Sequence, residues 1–90
     1  MSAARRWLVR GRVQGVGFRY FAKREADGLA VTGWVRNMDD GRVEVFGQGS
    51  PATLDAMHGR LWQGPSWAEV RDVEVLEAGP EANSTAFKIR

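Results

Sequence analysis

Cysteine is absent from this 90-residue chain, which removes disulfides, thiol catalysis and thiolate metal sites together and fits a reducing cytosol. Histidine occurs once and proline three times, so a histidine metal cluster and a proline-rich linker are both excluded. No apolar run approaches the roughly 20 residues of a membrane span, and the opening MSAARRW places two arginines before no apolar stretch; neither insertion nor secretion is indicated. Charge of one sign is scarce as well. The net charge is +2 although the basic residues are eleven arginines and two lysines, a balance that points to a local anion site and away from a nucleic-acid face. What remains is ordinary: 43% hydrophobic and 27% charged residues predict one folded, soluble domain spanning residues 1–90, with a single core.

Periodicity orders the elements. Trp7, Val9, Gly11 and Val13 alternate with Leu8, Arg10 and Arg12 as in a half-buried strand. Phe18, Phe21, Ala22, Ala26 and Leu29 share a helical face, and Gly28 is placed to close that helix in a left-handed cap. Val31, Gly33 and Val35 then alternate with Thr32, Trp34 and Arg36, and Asp39-Asp40-Gly41 turns the chain into Val43 and Val45 against Glu44 and Phe46. Ser50-Pro51 caps a second helix through Leu54, Met57 and Leu61, which Gly64-Pro65 stops. Trp67 to Leu76 and Thr85 to Arg90 read as strands, with Gly79-Pro80 and Asn83 as a break between them.

This order predicts an α+β ferredoxin-like sandwich, an antiparallel sheet with two helices packed on one face. Right-handed crossovers then put the first and third strands in the middle, in the order 4-1-3-2, leaving the short last strand unplaced. The first and second strands become parallel. Their carboxyl ends share one edge, which brings the loop from Gln14 to Phe18 near Asn37.

That loop lies within GRVQGVGFR, residues 11–19. Glycines at 15 and 17 permit positive φ and let backbone N–H groups point at an anion, at the entry to a helix whose dipole favours negative charge. Arg19 adds a permanent planar fork suited to phosphate oxygens. The alternative is a tight strand-to-helix turn with a solvated Arg19. A P-loop would need Lys-Ser or Lys-Thr after its last glycine, and the third glycine of a dinucleotide fingerprint is missing.

GRVQGVGFR, followed by Gly33-Trp34-Val35-Arg36-Asn37, Asp40-Gly41-Arg42-Val43-Glu44, Gly64-Pro65 and the closing Phe87-Lys88-Ile89-Arg90, resembles the acylphosphatase family. The likeness runs from about residue 5 to the end. It implies the same ferredoxin-like fold and hydrolysis of the carboxyl-phosphate bond of small acyl phosphates. Arg19 then matches the catalytic arginine, the backbone N–H groups of Gln14, Gly15, Val16, Gly17, Phe18 and Arg19 hold the phosphoryl group, and Asn37 positions the attacking water. Gly17 stands where many animal members have cysteine, and Met38 where they often have threonine.

No metal or other cofactor is implied: the motif carries no carboxylate, and Asp39 and Asp40 read as turn residues. The expected partners are the acyl phosphate itself and inorganic phosphate or sulfate as a competing anion, with no nucleic acid and no membrane; a cytoplasmic monomer is expected. His58 reads as a helix-surface residue and the tryptophans at 7, 34, 62 and 67 as core or half-core packing. Arg6, Arg10 and Arg12 read as solvated strand-face residues. An RNA-recognition module shares the element order, but Arg42-Val43-Glu44-Val45-Phe46 lacks its aromatic pattern. A non-hydrolytic or regulatory domain binding acyl or carbamoyl phosphate, of the kind that opens large hydrogenase-maturation factors, is the other alternative; the end of the chain at residue 90 favours the free-standing enzyme.

Overall fold

A computed structural model describes residues 2–81 and 84–90; Asn83, read above as part of a break, lies outside them. Five strands, β1 (Ala3–Arg12), β2 (Thr32–Asn37), β3 (Val43–Gly49), β4 (Glu69–Glu77) and β5 (Phe87–Ile89), alternate with two helices, α1 (Phe18–Gly28) and α2 (Pro51–Gln63). The sheet order is β4-β1-β3-β2-β5, the ferredoxin-like arrangement predicted from the handedness of the crossovers. β5 completes it by pairing parallel to β2, with Gly33 opposite Phe87 and Val35 opposite Ile89. The sheet is therefore mixed and not wholly antiparallel.

Both helices share one core with the sheet. Phe18, Ala22 and Ala26 of α1 and Leu54, Met57 and Leu61 of α2 pack in a single buried cluster with Trp7, Val9, Val35, Val43 and Val45. β1, α1 and α2 contribute their predicted phases. β1 carries a bulge between Arg10 and Gly11 where it pairs with β4, and a Cβ on Gly11 would stand 2.1 Å from the Glu69 carbonyl oxygen, so only glycine permits that approach.

Some local readings are corrected. Gly28 is the last helical residue of α1, and the left-handed position falls on Ala30, φ 58°. Val31 N–H bonds to the Ala26 carbonyl at 2.8 Å and Ala30 N–H to that of Asp27 at 3.2 Å, the paired bonds of a Schellman closure. Glycine at position 28 marked the end of the helix but not the strained residue. β3 is buried on both faces: Phe46 stacks on Trp34 with ring centroids 5.8 Å apart, and Glu44 lies beneath two arginines. Arg36 Nε donates to Glu44 Oε1 at 2.6 Å, while Arg6 Nε lies 3.3 Å from Oε2, in ion-pair range but outside hydrogen-bond geometry. Two charges facing one buried carboxylate supply the compensation that burial demands.

Trp7 and Trp34 are core residues as expected, whereas Trp62 and Trp67 are exposed. His58 is half-buried, and its Nδ1 accepts a hydrogen bond from the buried indole of Trp7 at 3.1 Å. It satisfies a donor that the core would otherwise strand. Arg10 and Arg12 are exposed as read.

Candidate active site

β1 and β2 run parallel, each antiparallel to the β3 strand between them, so the loop after β1 and the end of β2 meet at one edge. Gly15 and Gly17 both adopt positive φ, 75° and 80°. A Cβ on either would meet nothing within 4 Å; glycine serves backbone direction here and not close packing. Gly17 is the N-cap of α1, and no described side chain caps the helix. The first-turn N–H groups, which a helix leaves without internal acceptors, are thus available to an anion.

A cleft of about 100 Å³ opens against this helix end, lined by Val13, Gly15, Gly17, Phe18, Arg19 and Asn37 with Tyr20 at its rim. The two side chains singled out in the sequence, Arg19 and Asn37, therefore border the same space. Arg19 Nη1 donates to the Arg90 backbone carbonyl at 3.0 Å, and no described side-chain carboxylate pairs with it. Asn37 ends β2, and its Oδ1 is buried without a hydrogen-bond partner among the described residues. A buried amide oxygen left unpaired is costly unless water or a ligand meets it.

Of the loop residues, Gln14 and Val16 do not line the cleft. Val16 packs against the core. The Gln14 amide reaches the next turn, donating to the Met38 carbonyl at 2.7 Å and the Arg42 carbonyl at 2.9 Å. That turn is itself closed by Asp40, whose carboxylate accepts from Arg42 N–H at 3.1 Å and Arg42 Nε at 2.8 Å, and the Arg42 side chain holds the Asp40 carboxyl below its ordinary range. Sequence reasoning missed the contributions of the Gln14 amide and the Arg90 carbonyl; neither has a local signal, since both bonds depend on which strands become neighbours. Among the described residues no cluster of His, Asp or Glu is arranged to hold a metal ion.

A separate hollow of about 160 Å³ lies beside Trp34, Glu81 and Arg90, whose side chains contact one another. Arg90 lies over the Trp34 ring, 4.4 Å from its centroid, and Trp34 Nε1 donates to Glu81 at 3.2 Å.

The acylphosphatase family profile matches residues 5–89. The chain belongs to the acylphosphatase family. It is 53% identical over 89 residues to the acylphosphatase of Solibacter usitatus, covering 99% of this chain and 92% of that one. Its fold is similar to the crystal structure of acylphosphatase from Bacillus subtilis, with a TM-score of 0.93 and 40% identity over 100% of this chain and 99% of that one. Full-length HypF in a phosphate- and nucleotide-bound form also contains this fold, at a TM-score of 0.87 and 25% identity, but the match spans 12% of that chain. The chain thus corresponds to the whole of the Bacillus acylphosphatase and to a small part of HypF. It is an enzyme of the acylphosphatase type, a hydrolase.

Proposed function

We infer that the cleft holds the phosphoryl group of a small acyl phosphate, gripped by the backbone N–H groups of Gly15, Gly17, Phe18 and Arg19, the loop residues that line it, and by the Arg19 guanidinium. Asn37 orients the attacking water. The observation that carries this reading is the convergence, on one cleft, of an uncapped helix N-terminus, an arginine and an asparagine whose Oδ1 has no hydrogen-bond partner among the described residues. Oδ1 of Asn37 accepts a hydrogen bond from the water and turns a water lone pair toward phosphorus. The water oxygen bonds to phosphorus as the bond to the acyl oxygen breaks, and the departing carboxylate takes that electron pair. A non-bridging phosphoryl oxygen takes the proton. Arg19 and the N–H groups stabilise charge on the equatorial oxygens throughout.

The leaving group makes so sparse a site sufficient. A carboxylate, whose conjugate acid has a pKa of roughly 4, departs without a general acid, a metal or a covalent nucleophile. An alkoxide does not. Acetyl and carbamoyl phosphate are suitable substrates, inorganic phosphate or sulfate competes for the same loop, and a monomer acting in the cytoplasm suffices. No helix of the described residues is long and apolar enough to cross a membrane. The test is kcat/KM in the presence of a chelator across leaving groups of graded acidity. Acyl phosphates are expected to exceed alkyl phosphates by orders of magnitude, with aryl phosphates between; a flat series, or activity lost to the chelator, overturns the reading.

A further inference from the structure

The outer face of the sheet, away from both helices, carries a second polar concavity. Phe87 is buried in the core, so strand alternation turns Lys88 outward, and Arg90 after it. The Arg90 N–H bonds to the Val35 carbonyl at 2.8 Å, which continues the pairing with β2 one residue past β5. Trp34 stands opposite Lys88 in that pairing. Between these side chains and the segment Ser84-Thr85-Ala86 lies the hollow of about 160 Å³, which Gly33 and Glu81 also line.

Its cations are not consumed by the fold. Lys88 is exposed and meets no carboxylate among the described residues. The Arg90 guanidinium lies over the Trp34 ring at 4.4 Å, and Trp34 is itself stacked on Phe46. A guanidinium held by its face keeps its in-plane N–H groups for an acceptor at its edge, and no described group accepts from them. Charge then sets the ligand. Lys88 and Arg90 are offset by one carboxylate, that of Glu81, which also accepts from Trp34 Nε1 at 3.2 Å. One positive charge is left over, which suits a monoanion better than a dianion.

We propose that this hollow binds a small monocarboxylate, with the Arg90 fork on its two oxygens and the Lys88 ammonium against one of them. A planar fork matches a carboxylate in both spacing and plane. The Ser84 and Thr85 hydroxyls are donors at the sides, and Glu81 discourages the phosphate dianion that the cleft takes. Binding here is independent of the chemistry in the cleft. Where acyl phosphates are hydrolysed, however, the reaction releases an anion of this class together with phosphate, and each has its own place. Arg90 serves both, through its carbonyl at Arg19 and its guanidinium at the hollow.

The Trp34 indole N–H reports on the site by NMR in the intact chain, its signal identified as the one missing from Trp34→Phe. Sodium acetate is expected to move that signal saturably with a Kd of roughly millimolar order, while sodium chloride at matched pH and ionic strength does not. Lys88→Gln weakens acetate binding roughly two- to fivefold, and Glu81→Gln, which keeps an acceptor for the indole, tightens it by a similar factor, the size expected of single exposed charges. Unchanged indole signals of the other tryptophans verify the fold. Arg19→Ala titrates as wild type does. A Trp34 signal that acetate leaves in place, or that chloride moves equally, overturns the proposal. Binding lost in Arg19→Ala but untouched by Lys88→Gln puts the carboxylate in the cleft and overturns it too. So do an affinity unchanged in both Lys88→Gln and Glu81→Gln, and saturation of the Trp34 signal by inorganic phosphate at concentrations no higher than acetate needs.

Discussion

Gln14 is fastened to Met38: its Nε2 donates to the Met38 carbonyl at 2.7 Å and, forked, to that of Arg42 at 2.9 Å. β1 and β2 are parallel but not adjacent, because β3 lies between them. Their ends share no ladder, so this amide bridges the loop of Arg19 to the turn that follows Asn37.

Removing the bridge loosens both sides of the cleft at once. Each carbonyl keeps one backbone partner, Gly41 N–H on Met38 and Met38 N–H on Arg42, so Gln14→Ala costs about 1 kcal/mol of stability. Its kcat/KM falls about tenfold or more, because misplacement of catalytic groups is expensive. Gln14→Glu is worse on both counts, since it sets an acceptor against two acceptors. Urea unfolding and steady-state kinetics on the two variants check the order.

Arg19→Lys removes nearly all turnover while the protein stays folded, because an ammonium cannot reproduce a planar fork anchored on the Arg90 carbonyl. Asn37→Ala lowers kcat far more than it raises KM, as expected of a group that holds water and not substrate. A pure KM effect in Asn37→Ala would assign it to binding.

Inorganic phosphate raises the melting temperature with a dependence on its concentration that follows simple mass action, and it inhibits competitively. Charge-assisted hydrogen bonds of about 1.5–3 kcal/mol each, before the costs of binding, supply the affinity. Arg19→Ala abolishes the shift; a shift that persists places the anion elsewhere.

Two small residues respond in opposite directions. A Cβ on Gly33, φ 144°, would lie 1.9 Å from the Phe46 carbonyl oxygen, so Gly33→Ala destabilises by about 3 kcal/mol or more. Ala30→Gly relieves a left-handed alanine on the exposed surface and stabilises by about 0.5–1 kcal/mol. Denaturant midpoints at constant slope decide both.

Asp40 gives a sign for acid behaviour. The Arg42 side chain, with the Arg42 N–H, holds its carboxyl below the ordinary range, so the folded state binds this proton less readily than the unfolded chain. The contribution is present above the unfolded pKa of about 4 and is lost as pH falls through the lower folded value. Asp40→Asn is therefore less stable than wild type near neutrality, and the gap closes in acid. Urea titrations across that range measure it.

Much of this was legible from period and glycine placement. Trp7, Val9 and Val13 marked the buried phase of β1, Leu54, Met57 and Leu61 that of α2, and handedness then forced the strand order. The nearness of Arg19 and Asn37 followed, because parallel strands end on one edge, while the roles proposed for them came from the family resemblance. What stayed hidden was tertiary: the reach of the Gln14 amide, the parallel pairing of β5, the second buried face of β3, and the exposure of Trp67, which its apolar character argued against. Gly28 misled because glycine near a helix end only raises the odds of a left-handed residue there, while hydrogen-bond closure put it on Ala30.

The central position of β1 has a consequence during synthesis. Its neighbours are β3 and β4, with Arg5 opposite both Gly47 and Glu77, so this strand waits for distant segments translated after it before either edge is covered. The glycine loop emerges before β3 and β4 yet cannot be set in place until its strand is flanked, and Arg19 meets the Arg90 carbonyl only once the segment through β5 is out. Such long-range pairing slows folding and leaves β1 edges open meanwhile. The cleft is thus completed by segments translated well after the loop that lines it.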